Sequence, residues 1–388
     1  MMITSEEIDY SFIKELEDAL NQGFSACLQC GTCTARCPSG RVSQYRARQL
    51  FHMAQLGLKE RIFASDDLWS CTTCLACKNN CPWEVETTDA IIKMRTLAAQ
   101  SNHIKPEHQP LIKSLQSYDN PWLQPRSARE RWARKLDLKD LSRKQGDVLY
   151  YVGCTAGFDP RLWGMTTDVV KIAHAADVDI GYLGKKEMCC GGTVRGIGHP
   201  DIFERLAKGN TELFDKSGAH TIIYSCPGCL NTQTNAYGTI LDINQRRIHA
   251  VEFVAELLRE GRIPLKEFEA VVTYHDPCHL GRHCGVFDAP REILKSIPGV
   301  EFREMQFIRE NSWCCGAGGG VKTGFQDRAV EMAMRRLEQA EETEAEYITT
   351  ACSFCYQNLL DGIKKSGSSL KMLDLMELVR MAMKNGKD

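Results

Sequence analysis

Two cysteine pairs, Cys189-Cys190-Gly191 and Cys314-Cys315-Gly316, constrain this chain more than any other feature. Three further cysteines flank each pair at matching distances: Cys154, Cys226 and Cys229 around the first, Cys278, Cys352 and Cys355 around the second. Corresponding positions are offset by 124, 125 and 126 residues, so one module is written twice. Each module offers five thiols. An ordinary cubane 4Fe-4S cluster takes four. A spare thiol arising by accident in both copies is the weaker account. The count favours a cluster of unusual geometry with an additional, bridging thiolate.

Nineteen cysteines in 388 residues raise the question of a disulfide framework. The chain is far longer than the small secreted domains that need such staples. Its start, Met1 to Leu20, carries Glu6, Glu7, Asp9, Glu15, Glu17 and Asp18 and lacks the basic, then apolar pattern of a signal peptide. Clustered Cys-x-x-Cys steps therefore point to metal. No apolar run approaches the ~20 residues of a membrane-crossing helix. The expectation is a cytoplasmic protein that reaches a membrane face only through a partner. A formal net charge of -2 gives no electrostatic case for nucleic acid.

Ahead of the repeat stand two runs of identical spacing: Cys27, Cys30, Cys33, Cys37-Pro38, and Cys71, Cys74, Cys77, Cys81-Pro82. Both read C-x2-C-x2-C-x3-C-P, the dicluster ferredoxin signature. Zinc ribbons do not need the third cysteine or the closing Cys-Pro. Residues 5 to 22 read as a helix capped by Ser5, with Ile8, Phe12, Leu16 and Ala19 on one face and Gly23 ending it. Ala47, Leu50, Phe51, Ala54 and Leu58 form a second helical stripe. Thr88 or Asp89 is expected to cap a helix running to about Ala99. The basic run Arg126 to Lys144, with Arg129, Arg131, Arg134 and Lys135, reads as a solvated helix because acids are mixed into it.

Within the repeat, β-rich runs end just before cysteines: Asp147 to Val152 before Cys154, Thr221 to Tyr224 before Cys226, Ala270 to Tyr274 before Cys278, and Tyr347 to Thr350 before Cys352. Helical patterns such as Asp201 to Phe214 and Asp327 to Ala340 fill the intervals. Alternation of this kind predicts small open parallel sheets, whose ligands collect beyond the carboxyl ends of strands. The fold class expected is α+β / α/β. A helical dicluster ferredoxin domain (1–100) and a connecting segment (101–145) precede two α/β modules, 146–266 and 267–388.

These motifs resemble the CCG cysteine-rich domain of the catalytic subunit of heterodisulfide reductases, present here twice with all ten cysteines. Related domains occur in iron–sulfur subunits of glycolate, lactate and glycerol-3-phosphate dehydrogenases. The wording around Cys27 to Cys33 and Leu68 to Cys74 resembles the small electron-delivering subunit of the same reductases, so the chain looks like a fusion of the two. The resemblance implies cubane 4Fe-4S clusters on Cys27, Cys30, Cys33 and Cys81, and on Cys71, Cys74, Cys77 and Cys37. It implies non-cubane 4Fe-4S clusters on Cys154, Cys189, Cys190, Cys226 and Cys229, and on Cys278, Cys314, Cys315, Cys352 and Cys355. The implied activity is cleavage of a disulfide, CoM-S-S-CoB or an analogue, to two thiols. The implied setting is a hetero-oligomeric complex with an electron donor: a flavoprotein, a hydrogenase-linked protein or a b-type cytochrome. The alternative is a non-catalytic relay serving a flavoprotein dehydrogenase or a quinone-linked complex.

His275, His279 and Arg282 stand beside Cys278 and are candidate catalytic residues, as proton donors to a leaving thiolate or as anchors for an acidic substrate. Arg195 is a further candidate for an acidic group. Cys284 lies outside every motif. Gly316, Gly318, Gly319 and Gly320 resemble a dinucleotide fingerprint, but follow a cysteine pair; they are expected to make room for backbone near the cluster, as are Gly191 and Gly192. The near-identity of the modules suggests a pseudo-two-fold pairing that brings both sets of strand ends to one site.

Overall fold

The computed structural model describes residues 3–20 and 24–384. The first α-helix is Tyr10–Ala19, shorter than the expected 5 to 22. Asp9 caps it by accepting a 2.9 Å bond from Phe12 N, leaving Ser5–Glu7 as a separate 3-10 turn. An aspartate four residues inside the pattern supplies a better cap than Ser5, and the helix starts there. Phe12 and Leu16 are buried while Ala19 is exposed; Gly23 lies outside the described residues. The second stripe holds, with Ala47, Leu50, Phe51 and Ala54 buried along Ala47–Gln55. The next long helix is Thr87–Gln100, with Glu86 rather than Thr88 or Asp89 at the cap position.

Two parallel sheets follow. The first contains β1 (Lys139–Asp140), β2 (Val148–Tyr151), β3 (Ile180–Tyr182), β4 (Thr221–Tyr224) and β5 (Arg246–His249), in the order β1-β3-β2-β4-β5. The second contains β6 (Ala270–His275), β7 (Val300–Arg303), β8 (Tyr347–Thr350) and β9 (Lys371–Asp374), in the order β7-β6-β8-β9. Apart from β1, which comes from the connecting segment, the orders are the same. Both strands that lead to cysteines are central in each sheet, paired as Val148↔Thr221 and Val272↔Tyr347. Cys154, Cys226, Cys278 and Cys352 therefore emerge at neighbouring carboxyl ends.

The repeats dock reciprocally. Helix Trp163–Ala175, between β2 and β3, packs on Leu375–Ala382, which follows β9. Its counterpart Asp288–Ser296, between β6 and β7, packs on Ala250–Arg259, which follows β5. Each helix meets the equivalent of its own mate, the signature of a pseudo-two-fold pairing. One apolar core runs through the junction, with Val169, Val170, Val254, Leu257, Ile293, Leu294, Leu378 and Val379 all buried in it.

Three carboxyl groups sit at this junction. Desolvation pushes Asp168 up to about 6 and Glu377 up to about 7, and holds Asp374 well above the carboxylate range. Lys171 and Arg380 oppose the shift at Asp168, and Asp168 adds to it at Glu377. A raised acid keeps its proton in the folded chain at pH values where the unfolded chain has lost it. The folded state then binds more protons, and stability falls as pH rises. Thermal unfolding is expected to show this loss between about pH 4 and 7, on the order of a few kcal/mol in total. Asp168→Asn with Glu377→Gln should flatten the slope; an unchanged slope would remove these groups as its cause.

Candidate functional site

The two ferredoxin-type runs fold with the same backbone irregularities. The residues on either side of each second cysteine are left-handed: Gln29 and Gly31 around Cys30, Thr73 and Leu75 around Cys74. Gly31 and Leu75 then start the short helices that carry Cys33 and Cys77. A leucine at positive φ is a strained choice. Its persistence indicates that the loop must wrap tightly, as it does where amides surround a shared ligand.

The runs interleave. Cys27, Cys30, Cys33 and Cys81 line one small hollow with Leu28 and Trp83. Cys37 lies with the other run: after burial, its strongest interactions are with Cys74 and Cys71, with Cys77 next. These are the crossed sets implied by the ferredoxin resemblance, and each offers four thiols. Cys30 is exposed, whereas Cys71 and Cys74 are buried.

All ten cysteines of the repeat line one cavity of about 990 Å³. In each repeat the glycine after the pair is left-handed, at φ 79° for Gly191 and 97° for Gly316. Its N–H donates to the first thiol of the pair, Cys189 Sγ or Cys314 Sγ, at 3.4 Å in both cases. A Cβ on Gly316 would stand 2.6 Å from Ala329 O, so side chains other than glycine are excluded twice over. Gly153, before Cys154, is likewise at positive φ, and a Cβ there would lie 3.2 Å from Cys229 Sγ.

The thiols stand in contact without forming disulfides. Cys278 and Cys314 are 3.9 Å apart and Cys315 and Cys355 3.3 Å, against about 2.05 Å for an S–S bond. Cys226 of the first repeat pairs with Cys352 of the second. Cys74 of the ferredoxin part pairs with Cys314. Neighbouring thiols hold the second cysteine of each pair low: Cys189 and Cys229 take Cys190 down to about 5, and Cys314 and Cys355 also lower Cys315. Neighbouring thiols raise Cys229, Cys314, Cys352 and Cys355, and burial raises Cys154 and takes Cys77 up to about 12. A buried crowd of soft donors, in contact but unbonded, fits iron–sulfur ligation.

The histidines and arginine beside Cys278 take different positions. His279 lines the cavity, stacked on His283 with ring centroids 4.2 Å apart, and has Nδ1 3.3 Å from Cys278 Sγ. His275 is fully buried; Arg336 Nε donates to its Nδ1 at 3.1 Å. Burial lowers both rings, favouring the neutral form. Arg282 is largely committed to backbone, donating to Cys74 O at 2.6 Å, Ser312 O at 2.7 Å and Glu310 O at 3.0 Å. It clamps the ferredoxin loop onto the second repeat. Arg195 lies in the cavity wall. Cys284 is half-buried, and burial raises it to about 12.

The glycine string also has a more specific role than room beside a cluster. A Cβ on Gly318 would come 2.6 Å from Thr72 O, and one on Gly319 2.3 Å from Cys71 O. These glycines seat the second ferredoxin loop. Arg95 secures the same joint. Fully buried, it donates to Leu68 O, Cys71 O, Gly196 O and Gly319 O at 2.8 to 3.0 Å. Its place on the apolar face of its helix, between Ile91 and Ala98, was a signal available in the sequence.

Arg129 departs furthest from expectation. The basic run is solvated only in part: Arg131, Arg134 and Lys135 are exposed, but Arg126–Ala133 forms 3-10 turns and turns Arg129 inward, 3% exposed. Its guanidinium donates to Cys154 Sγ at 3.2 Å, to Gly153 O at 3.1 Å and to Glu187 at 2.6 Å. Glu187 also accepts from Val152 N and Gly153 N. Burial opposes the charge, but the Cys154 thiol and Glu187 hold the guanidinium above its ordinary value. Ala128, Trp132 and Ala133 beside it are buried too, the apolar spacing that the charge pattern masked.

Comparison with known proteins agrees with this geometry. The cysteine-rich CCG domain family matches residues 148–233 and 272–360, and the 4Fe-4S dicluster domain family matches 23–85. Fold and site thus define an iron–sulfur protein of the oxidoreductase class. The chain is 33% identical to one of the subunits of the dihydromethanophenazine:CoB–CoM heterodisulfide reductase of Methanosarcina mazei, over 92% of this chain and 93% of that one. It is 32% identical to the EtfAB:quinone oxidoreductase of Syntrophomonas wolfei, over 83% of this chain and 47% of the relative. A probable iron–sulfur-binding oxidoreductase of Bacillus subtilis matches similarly, at 32%. A hypothetical protein from Helicobacter pylori shares the fold, with TM-score 0.58 and 12% identity over 98% of this chain. This chain belongs to the family of the Methanosarcina heterodisulfide reductase subunit. Among the described residues no helix is long and apolar enough to cross a membrane.

Proposed function

We propose that this chain is the catalytic iron–sulfur subunit of a complex that reduces a small disulfide to two thiols. The observation that carries the reading is the single cavity on which both five-cysteine sets open, with Cys226 beside Cys352. Clusters bound on the two sets, non-cubane as the duplicated fifth thiol favours, would supply one electron each and iron to take up the parting sulfurs. The chain's own part is to hold ten thiolates around one space, to keep that space under buried walls, and to place His279 at its edge. Arg195 in the wall is a cation available to an acidic substrate, whereas Lys322 is held by Asp361 and Asn358.

The cysteine sets also form a file. It runs from exposed Cys30, through Cys33 near Cys77, to Cys74 against Cys314. That order supports delivery of electrons from a donor subunit through two cubane sites to the second repeat. The Methanosarcina relative is named as one subunit of a larger enzyme, which supports a hetero-oligomeric setting. The second reading, a relay without substrate, is favoured by the relative named EtfAB:quinone oxidoreductase.

Anaerobic purification is expected to give four clusters, roughly 16 irons with comparable acid-labile sulfide, by ligand count. The purified chain should reduce CoM-S-S-CoB or an analogue when supplied with a reduced viologen dye. Full iron loading with no turnover on any disulfide would establish the relay instead. Eight irons with zinc present would leave only the ferredoxin part standing.

A further inference from the structure

The two repeats are near copies in their cysteines but not in what touches the sulfurs. In the first repeat, buried Arg129 donates to Cys154 Sγ, backed by Glu187 on its other nitrogen. The positive end of this ion pair faces sulfur and the negative end faces away. In the second repeat the arginine near Cys278 and Cys314, Arg282, spends its recorded hydrogen bonds on backbone carbonyls, and the sulfur of Cys278 meets His279 instead.

The second repeat carries a different device. His275 is fully buried, with one ring nitrogen within 4.8 Å of the sulfurs of Cys315 and Cys355. Arg336 Nε is an obligate donor, so the Nδ1 it bonds must be the acceptor, and the proton of the neutral ring sits on Nε2. That Nε2 is buried and has no hydrogen-bond partner. A buried N–H without an acceptor is costly, and the nearby thiolates are acceptors that can take it. The corresponding position in the first repeat, Tyr151, carries no such donor at a sulfur; its hydroxyl bonds Met188 O.

We propose that Arg129 and His275 are positioning residues, each donating a hydrogen bond to a ligand sulfur of one repeat only, and that they set the reduction potentials of the two bound clusters separately. Hydrogen bonds to cluster sulfurs stabilise the more negative, reduced state and raise the potential. The inference rests on the reading that each five-cysteine set holds a cluster, and needs no assumption about the substrate.

The test is a redox titration of the anaerobically purified chain followed by electron paramagnetic resonance. Signals are assigned to repeats through Cys154→Ala and Cys278→Ala, each expected to lose one. Arg129→Met with Glu187→Gln removes the ion pair without leaving a lone buried charge. It should lower the first repeat's midpoint by about tenfold in equilibrium constant, 59 mV for one electron, and leave the second unmoved. Arg129→Lys should recover part of the shift. His275→Phe should lower only the second midpoint, and His275→Gln, which can accept from Arg336 and donate onward, should restore it. Midpoints that do not move, or that move together in either variant, would overturn the proposal. So would an iron count showing that either repeat holds no cluster. Failure to reduce any disulfide with these separate shifts intact would sink the proposed activity and leave this inference standing.

Discussion

Cys190→Ala is expected to lower disulfide turnover by roughly 10³-fold or more, Cys315→Ala by as much, and the double change by little beyond either one. A disulfide takes two electrons, and accepting them singly exposes a thiyl radical unless a metal captures each sulfur. In the proposed activity two sites opening on one cavity would meet both needs, and losing either would remove it. Cys190 and Cys315 occupy equivalent positions: each is the second thiol of its pair, buried and in contact with its neighbours' sulfurs. Reduction of the ferredoxin-type sites by an artificial donor should persist in all three variants. Substantial turnover by a single variant whose cluster is demonstrably missing would show that the repeats do not share one substrate.

The second large effect is expected from Gly319→Val. The residue is at φ +59°, and a Cβ there would stand 2.3 Å from Cys71 O and 2.8 Å from Thr72 C, both backbone atoms of the second ferredoxin loop. Left-handed strain and overpacking each cost about 1–3 kcal/mol, and backbone cannot swing aside as a flexible side chain can. The loop must lift, drawing Cys74 away from Cys314. Viologen should still bleach the ferredoxin-type absorbance, while disulfide reduction driven through that part falls at least about tenfold. Gly261→Val is the control: it has the same sign of φ, +68°, and nothing within 4 Å of its Cβ. If both variants behave alike, backbone strain rather than the joint is responsible.

Legibility followed the range over which each feature is determined. Sheets with cysteines at their carboxyl ends were readable because alternation and β-branched runs are local. Helix starts were readable to a few residues, and missed where a stronger cap lay inside the pattern, as Asp9 does. The residues missed were charges turned inward. Arg95 and Arg129 carry the composition of a surface, yet each is enclosed by acceptors supplied from distant segments: Gly196 O and Gly319 O for one, Glu187 and Cys154 for the other. His275 was legible as a neighbour of the site, but not as a ring with its proton directed by Arg336.

The cysteine spacings by themselves determined the number of ligand sets, the doubling of the module and the dicluster signature, because a metal site demands fixed donor counts at short, fixed steps. Only the tertiary structure decided which sets face one another. The reciprocal packing of Trp163–Ala175 on Leu375–Ala382, and of Asp288–Ser296 on Ala250–Arg259, turns both sets of strand ends toward one cavity. Gly318 and Gly319 let the second ferredoxin run approach one repeat closely. The doubled module suggested such a pairing, but which helices dock and which loop meets which repeat depends on side chains far apart in the chain burying each other's surfaces.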